Sequence, residues 1–205
     1  MLLLPATGPL HRSVIVLHGY AANGAVHRDD ARTFVDAHTE VVLPDAPGHG
    51  ERDGARLAGI AALPDAERHA AIVGLARAWC DELPALAAAC RNRGARRVAV
   101  VGISMGGFAA LGALHAPSPF DAVAALLASP VLADAERLTP QRPPLLLGLA
   151  GRDTAVPPAP ARTFARWYGA ELCEYPESTH LMRGEDWHDL WTRTAAFVRR
   201  RLGGR

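Results

Sequence analysis

The stretch Val98-Ala99-Val100-Val101-Gly102-Ile103-Ser104-Met105-Gly106-Gly107-Phe108-Ala109-Ala110-Leu111 decides how this chain folds. A β-branched apolar run enters a Gly-x-Ser-x-Gly turn, and small and apolar residues leave it at helical spacing. The order predicts a strand, a sharp turn bearing Ser104, and a helix. That context separates a serine-bearing elbow from a chance Gly-x-Ser-x-Gly, which a chain with 19 glycines can place in any loop. A serine at so tight a turn sits in strained backbone, its Oγ lifted above the sheet edge. Gly102 and Gly106 remove side chains where strand and helix approach. The first amides of the helix point at the same spot and favour an anion there.

Other buried strands are predicted on both sides of the elbow. Ser13-Val14-Ile15-Val16-Leu17 is continuous and apolar, as a parallel strand covered on both faces must be. It runs into the small-residue loop His18-Gly19-Tyr20-Ala21-Ala22-Asn23-Gly24, and a helix is predicted around residues 25–37. Glu40-Val41-Val42-Leu43 is a second strand, followed by the turn-rich Pro44-Asp45-Ala46-Pro47-Gly48-His49-Gly50-Glu51-Arg52. Residues 51–64 have mixed character; a partial lid is one reading of them.

A long helix is predicted from Asp65 as N-cap, with Ile72, Leu75, Trp79, Leu83, Leu86 and Cys90 as its core-facing stripe. Pro84 is expected to kink or break it, and Gly94 to close it. Ala122–Leu127 and Pro144–Ala150 are further strands, with a short polar connection at 133–142 between them. A helix at 159–168, a short strand near Glu171–Tyr175 and a last helix from about Trp187 to Leu202 complete the order. Its Arg199, Arg200 and Arg201 suit a helix C-terminus and a solvated face better than a membrane surface. Strands alternating with helices imply an α/β, doubly wound, mostly parallel sheet in one domain over residues 1–205.

Bulk composition narrows the function. The 205 residues are 49% apolar and 21% charged, an ordinary globular mixture. A net charge of +1 gives no electrostatic case for nucleic acid or an anionic membrane. Residues 98–120 carry no charged side chain, but four glycines at 102–112 and the change from strand to helix argue against a membrane span. The three cysteines, Cys80, Cys90 and Cys173, form no Cys-x-x-Cys and read as free thiols. The first residues lack a basic leader, so a cytoplasmic setting is expected.

The chemistry follows from what a serine requires. A hydroxyl is a weak nucleophile at pH 7, so it needs a base, and an imidazole serves best near neutrality. The imidazole needs a carboxylate that holds its tautomer and stabilises its cation. The chain offers Ser104, Asp153 and His180 in that order, each just past a predicted strand. Asp153 also suits a plain turn in Gly-Arg-Asp-Thr. His188 is the rival to His180 but falls within the last helix. His115 is too close behind the elbow, His49 reads as a turn residue, and Asp45 precedes the serine. The oxyanion formed by attack needs preorganised donors, for which the backbone amides of Met105 and Tyr20 are placed.

Taken together, Leu17-His18-Gly19-Tyr20, Pro44–Gly50, Gly102–Gly107, Gly151-Arg152-Asp153-Thr154-Ala155-Val156-Pro157 and the His180 loop resemble the α/β-hydrolase superfamily, from about residue 13 to the C-terminus. Within it the chain is similar to small esterases of the dienelactone-hydrolase-like and carboxylesterase/thioesterase groups. The resemblance implies Ser104 as nucleophile, Asp153 as acid, His180 as base, and Tyr20 and Met105 as oxyanion donors. It implies no cofactor and no metal. The implied substrate is a small acyl ester or thioester. The chain departs from the family in two ways: the N-terminal antiparallel hairpin is missing or reduced, and no cap-sized insertion lies between 128 and 144. Serine in the elbow argues against dienelactone hydrolase chemistry itself, which uses cysteine. A thioesterase, an amide hydrolase, a lyase with the same triad and a non-enzymatic binding protein of the same fold remain open at this point.

Overall fold

Backbone of the apolar runs is buried on both sides, which only a sheet sandwiched between helices allows. A computed structural model describes residues 1–52, 55–115, 117–138 and 142–203. Its seven-stranded sheet has the order β1-β3-β2-β4-β5-β6-β7. The strands are β1 (Leu2–Leu4), β2 (Arg12–Leu17), β3 (Thr39–Leu43), β4 (Arg97–Ile103), β5 (Ala122–Leu126), β6 (Leu145–Ala150) and β7 (Glu171–Tyr175). Strands β2 to β7 are parallel, and β1 runs antiparallel along β3. The N-terminal antiparallel hairpin, expected to be missing or reduced, stands here as one three-residue edge strand.

Alternation along each strand divides the core in two. Ile15, Leu17, Val98 and Val100 face α3 (Asp65–Asn92), α4 (Met105–Gly112) and α5 (Ala159–Tyr168). Val14, Val16, Ala99 and Val101 face the other side, covered by α6 (Gly184–Leu202) and by Ala31 and Phe34. The sheet is thus doubly wound. Chain direction across it reverses between β2 and β4, because β3 lies on one side of this pair and β5 on the other. In open α/β sheets ligands bind outside the carboxyl ends of strands at such a switch point. Leu17 leads there into His18-Gly19-Tyr20, and Ile103 into Ser104.

Three expectations need correction. Residues 25–37 do not form one helix: they make 3-10 turns at Gly24–His27 and Arg32–Phe34 around α1 (Arg28–Ala31), then turn extended at Val35. Ala31 and Phe34 are buried there, an apolar face too narrow to hold a longer helix. The N-cap of α3 is Pro64, not Asp65; Asp65 lies in the first turn, where its charge suits the helix dipole and pairs with Arg68. Pro84 does not break α3, which runs unbroken for 28 residues. An interior proline costs about 3 kcal/mol, but Trp79, Leu83 and Ala87 on either side are fully buried. Burial of two such large side chains offsets a loss of that size, at roughly 1.5–3 kcal/mol each.

Of the stretch 51–64, residues 53 and 54 lie outside the described residues, and α2 (Ala55–Ala61) follows them. In the polar connection after β5, a 3-10 turn forms at Ala135–Arg137, and residues 139–141 lie outside the described residues. Among the described residues no helix is long and apolar enough to cross a membrane.

Candidate active site

Ser104 has φ 52° and ψ −115°, a conformation that costs a non-glycine residue of order 1–3 kcal/mol. The surrounding structure enforces it. Ser104 N donates to Leu126 O at 2.8 Å, and Gly106 N donates to His18 O at 3.2 Å. A Cβ on Gly102 would lie 2.2 Å from Gly106 O, and one on Gly106 would lie 2.5 Å from Leu17 O. Both glycines are needed for close approach, as the motif suggests. The helix α4 begins directly at Met105, so its first amides face the serine.

Two loops bring their side chains to this elbow. After β6, the chain turns through Gly151-Arg152-Asp153, and Asp153 Oδ1 accepts from Ala155 N at 2.9 Å and Val156 N at 2.8 Å. Asp153 is both the turn-forming residue and a buried carboxylate, only 5% exposed. Its other oxygen, Oδ2, lies 2.7 Å from His180 Nδ1. The loop after β7 carries His180 and is tied to the Asp153 turn by Arg152 N donating to Ser178 O at 2.9 Å. His180 Nε2 lies 3.0 Å from Ser104 Oγ. Ser104, His180 and Asp153 thus form one hydrogen-bonded chain. With Nδ1 protonated against the carboxylate, Nε2 is left to accept the serine proton.

The rivals lie elsewhere. His188 is within α6, and His115 Nε2 accepts from Asp134 N at 2.8 Å. Asp45 Oδ1 accepts from Gly24 N at 2.7 Å, which secures a loop end.

A cavity of about 630 Å3 opens above Ser104 and His180. One wall comes from Ile72 of α3, Phe108 of α4 and Val156 after β6; the other comes from Val26, Met182 and Trp187. Leu181 and Val26 at its mouth are 88% and 58% exposed, so the site is open to solvent. Tyr20 also lines it, and its hydroxyl donates to Leu57 O of α2 at 3.4 Å.

Two histidines hold the loop that carries Tyr20, and neither role is legible from sequence. His18, 1% exposed, donates from Nδ1 to Gly19 O at 2.7 Å and accepts at Nε2 from Ala46 N at 3.0 Å. In a trans peptide the N–H points opposite the carbonyl, so fixing Gly19 O also fixes the direction of Tyr20 N–H. His49 sits in the expected turn and does more: its Nε2 accepts from Ala21 N at 3.2 Å, and Nδ1 donates to Pro47 O at 3.0 Å. Ala21 itself has φ 58°. No local pattern announces this clamp, because it joins the loops after β2 and β3, 28 positions apart.

Both imidazoles must be neutral to act as acceptors. Burial pushes His18 down to about 4 and also lowers His49. The unfolded chain takes up these protons below about pH 6.5, whereas the folded chain resists, so stability is lost as pH falls from 6.5 toward 4. His18 alone is expected to remove about 2 kcal/mol by pH 4.5. Urea midpoints at pH 7 and pH 4.5 check this; equal midpoints would contradict a buried neutral clamp.

A sequence model of the family described as "Alpha/beta hydrolase family" matches residues 14–204. The fold is similar to that of the solved esterase PE8, with 25% identity, a TM-score of 0.70, and 98% of this chain and 97% of that chain covered. Est1E from Butyrivibrio proteoclasticus, solved with ferulic acid bound, gives 15% identity and a TM-score of 0.72 over 98% of this chain and 94% of its own. Acyl-protein thioesterase 2 from Zea mays gives 15% and 0.65 over 95% and 97%. A search of curated proteins found no match.

Proposed function

The chain belongs to the alpha/beta hydrolase family, and from that premise we propose that it hydrolyses carboxylic esters through an acyl-enzyme. The observation that carries this reading is the bonded series Ser104 Oγ, His180 Nε2, His180 Nδ1, Asp153 Oδ2 at the floor of an open apolar cavity. Ser104 Oγ attacks the acyl carbonyl while its proton passes to His180 Nε2. The imidazolium that forms is stabilised by the Asp153 carboxylate, whose oxygens accept from two amides and face the imidazole Nδ1.

Negative charge develops on the former carbonyl oxygen, and the amides of Tyr20 and Met105 receive it. His180 then protonates the departing alcohol. A water, deprotonated by the same imidazole, releases the acid and restores the serine. No cofactor enters any step.

The same machinery cleaves thioesters, and the preference lies in the cavity walls. A volume of this size suits a small organic acyl ester of short or medium chain. The test is hydrolysis of p-nitrophenyl esters from acetate to palmitate. Turnover is expected, greatest for short and medium chains and falling for palmitate. Absence of turnover on every ester, with matched thioesters also inert, would contradict the reading.

A further inference from the structure

The proposed hydrolysis leaves unused a His–Asp pair in the cavity wall. His27 ends the 3-10 turn Gly24–His27 and lines the same cavity as Ser104 and His180. Its Nδ1 lies 3.6 Å from Asp30 Oδ2. That oxygen also accepts from Trp187 Nε1 at 3.1 Å, which holds Asp30 in place. The imidazole lies beside two indoles, with ring centroids 5.7 Å from Trp187 and 5.9 Å from Trp191. The ring therefore has little freedom to turn.

The chemistry of its outer edge follows. At 3.6 Å the Nδ1–Asp30 contact is electrostatic rather than a hydrogen bond, and a carboxylate on that side favours the ring proton at Nδ1, which leaves the lone pair on Nε2. Burial lowers the affinity of His27 for a second proton, and this supports the neutral form. The side chain keeps 14% of its surface exposed, and its polar contact among the described residues is the one Nδ1 makes with Asp30. The other polar groups of the floor are engaged: Ser104 with His180, and the Tyr20 hydroxyl with Leu57 O. The remaining polar lining residue, His69, is an exposed residue of α3 on the opposite wall beside Phe108.

We propose that His27 is a specificity-determining residue whose Nε2 accepts a hydrogen bond from a hydroxyl on the substrate. The preferred ester then carries a hydroxyl where it reaches this wall, rather than a bare alkyl or ether group. This rests on reading the cavity as an ester site, but the recognition itself requires no turnover. A wall that offers a lone acceptor discriminates against a ligand that cannot donate to it, because the acceptor loses its water and gains nothing.

Binding is therefore the measurement, made on the Ser104→Ala chain by tryptophan emission, since Trp187 lines the cavity. The probes are methyl ω-hydroxyalkanoates of four to ten carbons and ω-hydroxyalkyl acetates, each against its ω-methoxy counterpart. At the length that reaches His27, the hydroxyl compound is expected to bind about fivefold tighter than the ether. His27→Phe keeps a ring beside the indoles and is expected to bring the ratio within about twofold; His27→Gln restores an acceptor oxygen and part of the preference. A ratio near one at every length with His27 intact overturns the proposal. So does a preference that survives in His27→Phe, or the absence of binding by any member. A hydroxyl preference in a chain whose intact Ser104 form hydrolyses no ester would fault the esterase reading and leave the role of His27 standing. Hydrolysis without the preference would do the reverse.

Discussion

Ser104→Ala is expected to lower kcat on any accepted ester by about a million-fold. The substitution removes the atom that attacks and leaves His180 with nothing to deprotonate. On the proposed mechanism, what survives is rate from binding and from the amides of Tyr20 and Met105, roughly a thousandfold over water. Ground-state binding should change little, because the cavity walls are contributed by other residues. Stability should also hold, since among the described residues the Oγ bonds only His180 Nε2. Steady-state kinetics on p-nitrophenyl butyrate with a parallel thermal melt check both halves. Residual activity within a hundredfold of the native chain would mean that another group is the nucleophile. Ser104→Gly makes a useful companion: it is equally inactive but relaxes the positive φ of the elbow, a gain of about 1 kcal/mol.

Asp153→Asn is expected to lower kcat by about ten-thousandfold with the fold intact. The asparagine oxygen can still accept from Ala155 N and Val156 N, so the turn after β6 survives. Its amide group then faces His180 Nδ1 and donates to it. The ring proton is driven to Nε2, the wrong side, where it points at Ser104 instead of accepting from it. An Asp153→Asn chain that keeps a tenth of its activity would show that His180 is oriented by some other group. The variant must be compared at equal folded fraction, which a urea curve supplies.

How much of this was legible in the sequence depends on how far each contact reaches. The strand-elbow-helix unit around Ser104 is local, so fourteen consecutive residues state it in full. The parallel sheet is also legible, because a strand buried on both faces must be apolar along its whole length, as Val14–Leu17 and Val98–Val101 are. Ser104, Asp153 and His180 could be ordered along the chain since each follows a strand, although 76 positions separate the serine from the imidazole. Local patterns fail where partners are distant and polar. His18 and His49 look like loop residues until the switch point brings the loops after β2 and β3 together. The spacing of Trp187, Trp191, Ala195, Val198 and Leu202 puts them on one face of the last helix; that the Trp187 indole N–H reaches Asp30, 157 positions away, no periodicity could state. The strand β1 was missed because Leu2-Leu3-Leu4 is too short and too unbranched to declare itself; it is held by pairing with β3.

The most direct test of the central claim is labelling with a fluorophosphonate, which reacts only with a serine made nucleophilic by its neighbours. The expected result is one adduct per chain by intact mass, on the peptide that contains Ser104. Labelling should slow by orders of magnitude in His180→Ala and vanish in Ser104→Ala. No adduct on the folded chain, or an adduct on a different serine, would contradict the assignment of Ser104 as the nucleophile of a hydrolase.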